Sequence, residues 1–127
     1  MKRRPEVARA AAQPARPAAK RREDVLREQA WIGDAVLALY VRLKILGEDG
    51  RLDGAKAIRM TSNGFLAAVG EPTAIEAQIG RAYSAGGLDE AFRHIEQRLL
   101  PLFEKQEEKR LRRAGQPHLL TPGVGVS

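Results

Sequence analysis

Apolar residues recur along the chain at three- to five-residue spacing and nowhere alternate with polar ones, which predicts helices and no strands. A first helix is predicted from about Asp24 to Leu46, capped by Asp24, with Val25, Trp31, Val36, Leu39, Leu43 and Leu46 as its inward stripe. Gly47-Glu48-Asp49-Gly50 ends it. Asp53 then caps a second helix, Gly54 to Val69, that turns Ile58, Phe65, Leu66 and Val69 inward and stops at Gly70. Beyond the short Glu71-Pro72 connection, a third helix runs from Thr73 to about Ser84 and closes at Gly86-Gly87. A last helix starts near Asp89, carries Phe92, Ile95, Leu99 and Leu100, and is kinked by Pro101 before a charged extension to about Arg113. The chain reads as all-α.

Composition changes this picture at the two ends. Residues 1–23 are rich in Ala, Pro and Arg with almost no large apolar side chain, and read as a disordered basic arm; an organelle transit peptide is the alternative. Residues 24–104 form the helical domain, and 105–127 a charged helix extension with a flexible tail. The net charge of +6 is unevenly spread: the arm holds eight Lys/Arg against two Glu, the last 23 residues five against two, and the body nine against twelve acids. Arg21, Arg22, Lys109 and Arg110 are therefore candidate phosphate contacts, with solubilising tails as the plainer alternative. Cysteine is absent, which removes disulfides, thiolate nucleophiles and Cys-bound zinc. No apolar run is long enough to span a bilayer and no signal-peptide core opens the chain, so the expectation is a cytoplasmic protein with no membrane partner. The near-continuous apolar run Ala35 to Val41 covers more than one helix face. Surplus apolar surface on so small a domain argues for a second copy of the chain as partner.

Two carboxylates stand out against apolar surroundings. Asp34 interrupts Ala30-Trp31-Ile32-Gly33-Asp34-Ala35-Val36-Leu37-Ala38-Leu39-Tyr40-Val41, where an unpaired charge requires a cation, a donor or a metal. A buried ion pair with Arg42 or Arg81 is one way to meet that need. Glu76 lies in Thr73-Ala74-Ile75-Glu76-Ala77-Gln78-Ile79-Gly80-Arg81-Ala82-Tyr83, and Thr73-x-x-Glu76 also fits a capping box. His94 and His118 stand alone and read as surface or satisfied residues, and no serine has the His/Asp context of a triad.

Ile32-Gly33-Asp34-Ala35-Val36-Leu37 resembles the signature helix of the ribonuclease III domain, and Thr73 to Tyr83 with Gly86-Gly87-Leu88 resembles the second motif of that family. Ser62-Asn63 and Arg98-Leu99-Leu100-Pro101-Leu102 continue the resemblance, which covers about residues 26–103; Gly64 stands where a Glu often follows Ser-Asn. The resemblance implies a small helical bundle of the ribonuclease III endonuclease-domain type, homodimeric, cleaving double-stranded or structured RNA with a carboxylate-bound Mg²⁺ or Mn²⁺. Asp34 and Glu76 would be its catalytic and metal-holding residues. The two further acidic positions of large members fall on Ala30 and Thr73, as in the mini-ribonuclease III branch, which also lacks a separate RNA-binding domain and points to ribosomal RNA maturation. Relatives place a helix and loop where Gly70 is here followed at once by Glu71-Pro72-Thr73. The alternative reading is a non-catalytic, RNA-binding or ribosome-associated scaffold of the same fold; a helical protein–protein adaptor is the third.

Overall fold

A computed structural model describes residues 18–115; the first seventeen residues of the arm and the tail from 116, with His118, lie outside the described residues. Among the described residues every regular element is a helix: α1 (Ala18–Asp49), α2 (Gly54–Thr61), α3 (Asn63–Val69), α4 (Pro72–Arg98) and α5 (Leu100–Ala114). None is long and apolar enough to cross a membrane.

Helix α1 begins six residues earlier than its apolar pattern indicates, because Ala18 to Glu23 is an unbroken run of strong helix formers. Asp24 is consequently inside the helix rather than its cap, with Oδ1 accepting from the Arg27 guanidinium at 3.0 Å. At the other end Gly50 adopts φ 74° and its N–H donates to the Leu46 carbonyl, a left-handed stop that glycine takes without a Cβ clash. Asp53 caps α2 by accepting from the Lys56 N–H at 3.0 Å.

The single helix expected from Gly54 to Val69 is two. Ser62 leaves the helical region (φ −71°, ψ 155°) and its hydroxyl accepts from the Phe65 N–H at 3.1 Å, so a side-chain cap outcompetes continuation of the backbone ladder. The break reorients the first half: Ile58, expected inward, is exposed, whereas Phe65 and Leu66 are buried. Helix α4 is two helical stretches joined at Gly86-Gly87, where Gly86 (φ −146°) and Gly87 (φ 75°) both leave the helical region, so the first stretch closes at the glycine pair as its pattern indicates. Pro101, which lacks an N–H, sits in the first turn of α5, and Leu99 stays right-handed with its N–H donating to the Ile95 carbonyl, so α4 and α5 meet at the kink that Pro101 indicates.

The core gathers Leu37, Val41 and Ile45 of α1, Leu66 of α3, Ile75, Ile79 and Ile95 of α4, then Leu99 and Phe103. Phe65 and Phe103 meet edge to face with centroids 5.8 Å apart, and Arg59 donates to both oxygens of Glu107 at 2.7 and 2.9 Å, tying α5 to α2 and α3. The buried face of α1 differs from the expected one. Ala30, Val36, Leu37, Tyr40, Val41 and Ile45 are inside; Val25, Trp31, Leu39, Leu43 and Leu46 are exposed, Trp31 by 78%. The reason lies at Gly33. Only a face carrying small residues lets α4 approach this closely, and that approach selects the stripe next to Gly33 over the one with the larger side chains.

Candidate functional site

Helices α1 and α4 cross at the distance of their backbones. A Cβ on Gly33 would lie 1.8 Å from the Glu76 carbonyl oxygen, and one on Gly80 would lie 2.0 Å from the carbonyl oxygen of Gln29. Residue 33 thus meets 76 and residue 29 meets 80, so the two helices run in opposite directions through the contact. Ala30 and Ala77, both buried, complete the small-residue seam.

The seam places the two carboxylates that the sequence singles out. Asp34 follows Gly33 on α1, Glu76 presents its own carbonyl to Gly33, and the two carboxyl groups are close enough for Asp34 to act on the titration of Glu76. Asp34 is exposed and Glu76 half-buried. Glu76 is pushed up to about 7 from 4.5, first by burial, then by the hydrogen bond it donates to Asp34, then by the negative charges of Asp34 and Glu71. Two like charges this close cannot both persist without a third party. Below about pH 7 the proton on Glu76 relieves that repulsion.

The local alternatives for both residues are not taken. Glu71, not Thr73 or Glu76, caps α4: its carboxylate accepts from the Thr73 and Ala74 N–H groups at 3.2 and 2.8 Å, with Pro72 in the first turn. Glu76 is therefore free of capping duty. Asp34 makes no ion pair with Arg42 or Arg81; Arg81 donates instead to the Gln29 Oε1 at 3.4 Å. Ala30 and Thr73 each stand one turn before a carboxylate and add none, so among the described residues no group of three or more His, Asp or Glu side chains is gathered.

The candidate phosphate contacts are not brought together as one set. Arg21 and Arg22 line a groove with Ala18, Val25, Leu26, Gln29 and Arg81. Arg110 borders a separate one beside Arg59, Phe65 and Glu107, and Lys109 is exposed on α5. Arg81 was not legible as a partner of Arg21 and Arg22, since nearly sixty residues separate them and no local pattern links them. His94 is half-buried and its Nε2 finds no partner among the described residues; burial lowers its pKa, and Arg98 and Arg81 lower it further. Tyr40 packs edge to face on Phe92 with its hydroxyl 3.4 Å from Glu96, and burial followed by the Glu96 charge raises it to about 12. Comparison with protein-family models, curated proteins and solved structures returns no match.

Proposed function

We propose that this chain is a metal-dependent endoribonuclease of the ribonuclease III type, closest to the mini branch, acting in the cytoplasm as a homodimer on double-stranded or structured RNA, with ribosomal RNA maturation as its role. The observation that carries the reading is the contact of Asp34 with Glu76 across the Gly33/Gly80 seam. The donor set suits Mg²⁺ or Mn²⁺: hard oxygen ligands from two side chains, with room on the exposed Asp34 side for water and phosphate. When bound, such an ion lowers the pKa of a water and offsets charge on the phosphodiester. Asp34 faces solvent, where substrate arrives; Glu76, behind it, must give up its proton before both carboxylates are available as ligands.

Self-association draws support from α1. Val25, Ile32, Leu39 and Leu46 are exposed at seven-residue intervals, and Trp31 stands exposed on a neighbouring flank. An apolar groove of about 460 Å³ between α1 and α2, lined by Ala38, Ile45, Leu46, Ala57 and Ile58, offers a receiving surface on the same molecule.

Ala30 and Thr73, which leave only two carboxylates at the crossing, favour a second reading: a scaffold that binds RNA without cutting it. Cleavage of duplex RNA with Mg²⁺, with chelator, and by Asp34→Asn and Glu76→Gln separates the two. The nuclease reading expects cutting that chelator and either substitution abolish, with the double variant no worse than the singles because the residues act as a unit. RNA bound but uncut, with Mg²⁺ affinity the same in Glu76→Gln as in the wild type, would put the scaffold in its place.

A further inference from the structure

We propose that the groove between the first turns of α1 and the middle of α4 is a built binding site for the sugar-phosphate backbone of nucleic acid, with Arg21, Arg22 and Arg81 as its phosphate contacts and Gln29 as the residue that positions Arg81. The groove is about 440 Å³ and draws on both helices. Its charge is not neutralised internally. Arg21, Arg22 and Arg81 have no carboxylate within 4 Å among the described residues, as is also true of other arginines such as Arg42 and Arg98; what distinguishes these three is that they share one groove. Three guanidinium groups left without a counter-charge on one concavity stand to gain most from an incoming anion.

Position and shape narrow the anion further. Gly80 brings α4 against the backbone of Gln29, and Arg81 donates to the Gln29 side chain at 3.4 Å at the groove's edge. Burial lowers the pKa of His94, and Arg98 and Arg81 lower it further against the opposing charge of Glu90, so both guanidinium groups lie near this flank of α4. The floor is apolar: Val25 and Leu26 are partly exposed between the arginines. A ribose-phosphate strand matches both parts, with phosphates on the rim and sugar faces against Val25 and Leu26. Along α1 the near edge of the groove, Gln29, is five residues, about 7.5 Å, from Asp34, and Arg22 is twelve residues, about 18 Å, from it. The site depends on the nuclease reading only for the kind of nucleic acid; its affinity for phosphates does not require cutting.

The test uses the full chain in EDTA, with anisotropy of a labelled RNA duplex measured over a salt series, so that binding is read without cleavage. Arg81→Gln and the double substitution Arg21→Gln/Arg22→Gln are expected to weaken binding several-fold and to flatten the slope of log K against log salt by about 0.7 to 0.9 for each contact removed. Gln29→Ala should weaken binding with a smaller change of slope, because it frees Arg81 without removing charge. Arg93→Gln, whose guanidinium is already paired with Glu90, serves as the control and should leave the slope unchanged. Equal effects from Arg93→Gln and Arg81→Gln would reduce the groove to diffuse net charge and overturn the proposal, as would unchanged slopes in both groove variants. Vesicles containing phosphatidylserine form the second arm: loss of vesicle binding in the groove variants, with RNA binding intact, assigns the site to a membrane surface instead. Groove variants that lose RNA affinity in a protein that never cuts RNA leave this site standing and remove only the nuclease.

Discussion

Replacing Gly33 by alanine tests the crossing of α1 and α4 most directly. The new Cβ would sit 1.8 Å from the Glu76 carbonyl oxygen and 2.7 Å from its carbon, where ordinary contact begins at 3.4 Å. The obstructing atoms are helical backbone, so no side chain can rotate away. The helices must part by about 1.6 Å or shift along each other, and either motion loosens Leu37, Val41, Ile75 and Ile79 together. Overpacking in a tight core costs about 1–3 kcal/mol, and a rigid obstacle belongs at or above the top of that range. The opposing gain from alanine's helix propensity is about 1 kcal/mol. A net loss of roughly 2 kcal/mol or more follows, or on the order of 10 °C in Tm for a domain of this size. Gly47 provides the matched control, because nothing lies within 4 Å of a Cβ built there. Gly47→Ala should stabilise by up to about 1 kcal/mol. Urea and thermal denaturation followed by far-ultraviolet circular dichroism measure both. If Gly33→Ala melts at or above the wild type while Gly47→Ala gains as expected, the backbone contact is not as close as described and the placement of Asp34 against Glu76 loses its cause.

The remaining predictions concern the proton on Glu76, the Ser62 cap and the exposed face of α1. Because the folded state holds that proton up to about pH 7 against 4.5 for a free glutamate, the contribution of Glu76 to stability is full below 4.5 and is lost as pH rises through 7. Glu107, held below its usual range by the hydrogen bond from Arg59, contributes in the opposite direction, so the Glu76 effect is read as the difference between wild type and Glu76→Gln. That difference should favour the variant increasingly between pH 5 and 8 in chelator and shrink when Mg²⁺ is added; a pH-independent difference would contradict the pairing. Ser62→Ala removes the cap of α3 and should cost about 1 kcal/mol in urea denaturation, with Asn or Asp at that position recovering most of it. Trp31→Ser should lower self-association in sedimentation at micromolar concentration without lowering monomer stability, since the indole is outside the core; an unchanged association constant would take Trp31 out of the interface.

Ends of elements and isolated charges were the legible parts of this chain, for a local reason. Asp53, Gly50, Gly70 and Pro101 act within a few residues of themselves, so their roles survive any tertiary arrangement. Asp34 and Glu76 stood out against apolar neighbours, but the desolvation this implied holds for the half-buried Glu76 alone; Asp34 is exposed, because the helix turns it away from the core. The buried face of α1 was not legible from apolar spacing alone, because apolar residues occur all round the helix, with Trp31, Leu39, Leu43 and Leu46 outside and Val36, Leu37, Tyr40 and Val41 inside. Gly33, Ala30, Ala77 and Gly80 decided between them, and a close approach can be read from small residues only when those on two helices are taken together. The same limit hid Arg81, whose meaning depends on Gln29 across the crossing. Ser62 carried a readable signal, a helix breaker with capping chemistry in mid-element, that helical periodicity on either side of it obscured.

A contact between two backbones has no rotamers. Side-chain interfaces accommodate change by hopping among conformers, but at the Gly33–Glu76 and Gly80–Gln29 points the only available movements belong to whole helices. The crossing therefore behaves as a pivot: α1 and α4 can rock about it, yet neither can approach the other and sliding is blocked at both points. Motion elsewhere, in the bend at Gly86-Gly87 or in the first turns of α1, reaches the two carboxylates as rotation about a fixed centre, with small displacement at Asp34 and Glu76 and larger displacement at the ends of the long helix. The amide protons around Ala77 to Gly80 accordingly belong with the slowest-exchanging of the chain. The spacing of the acidic pair is thus a mechanical property of the fold, insulated from the choice of side chains in the core around it.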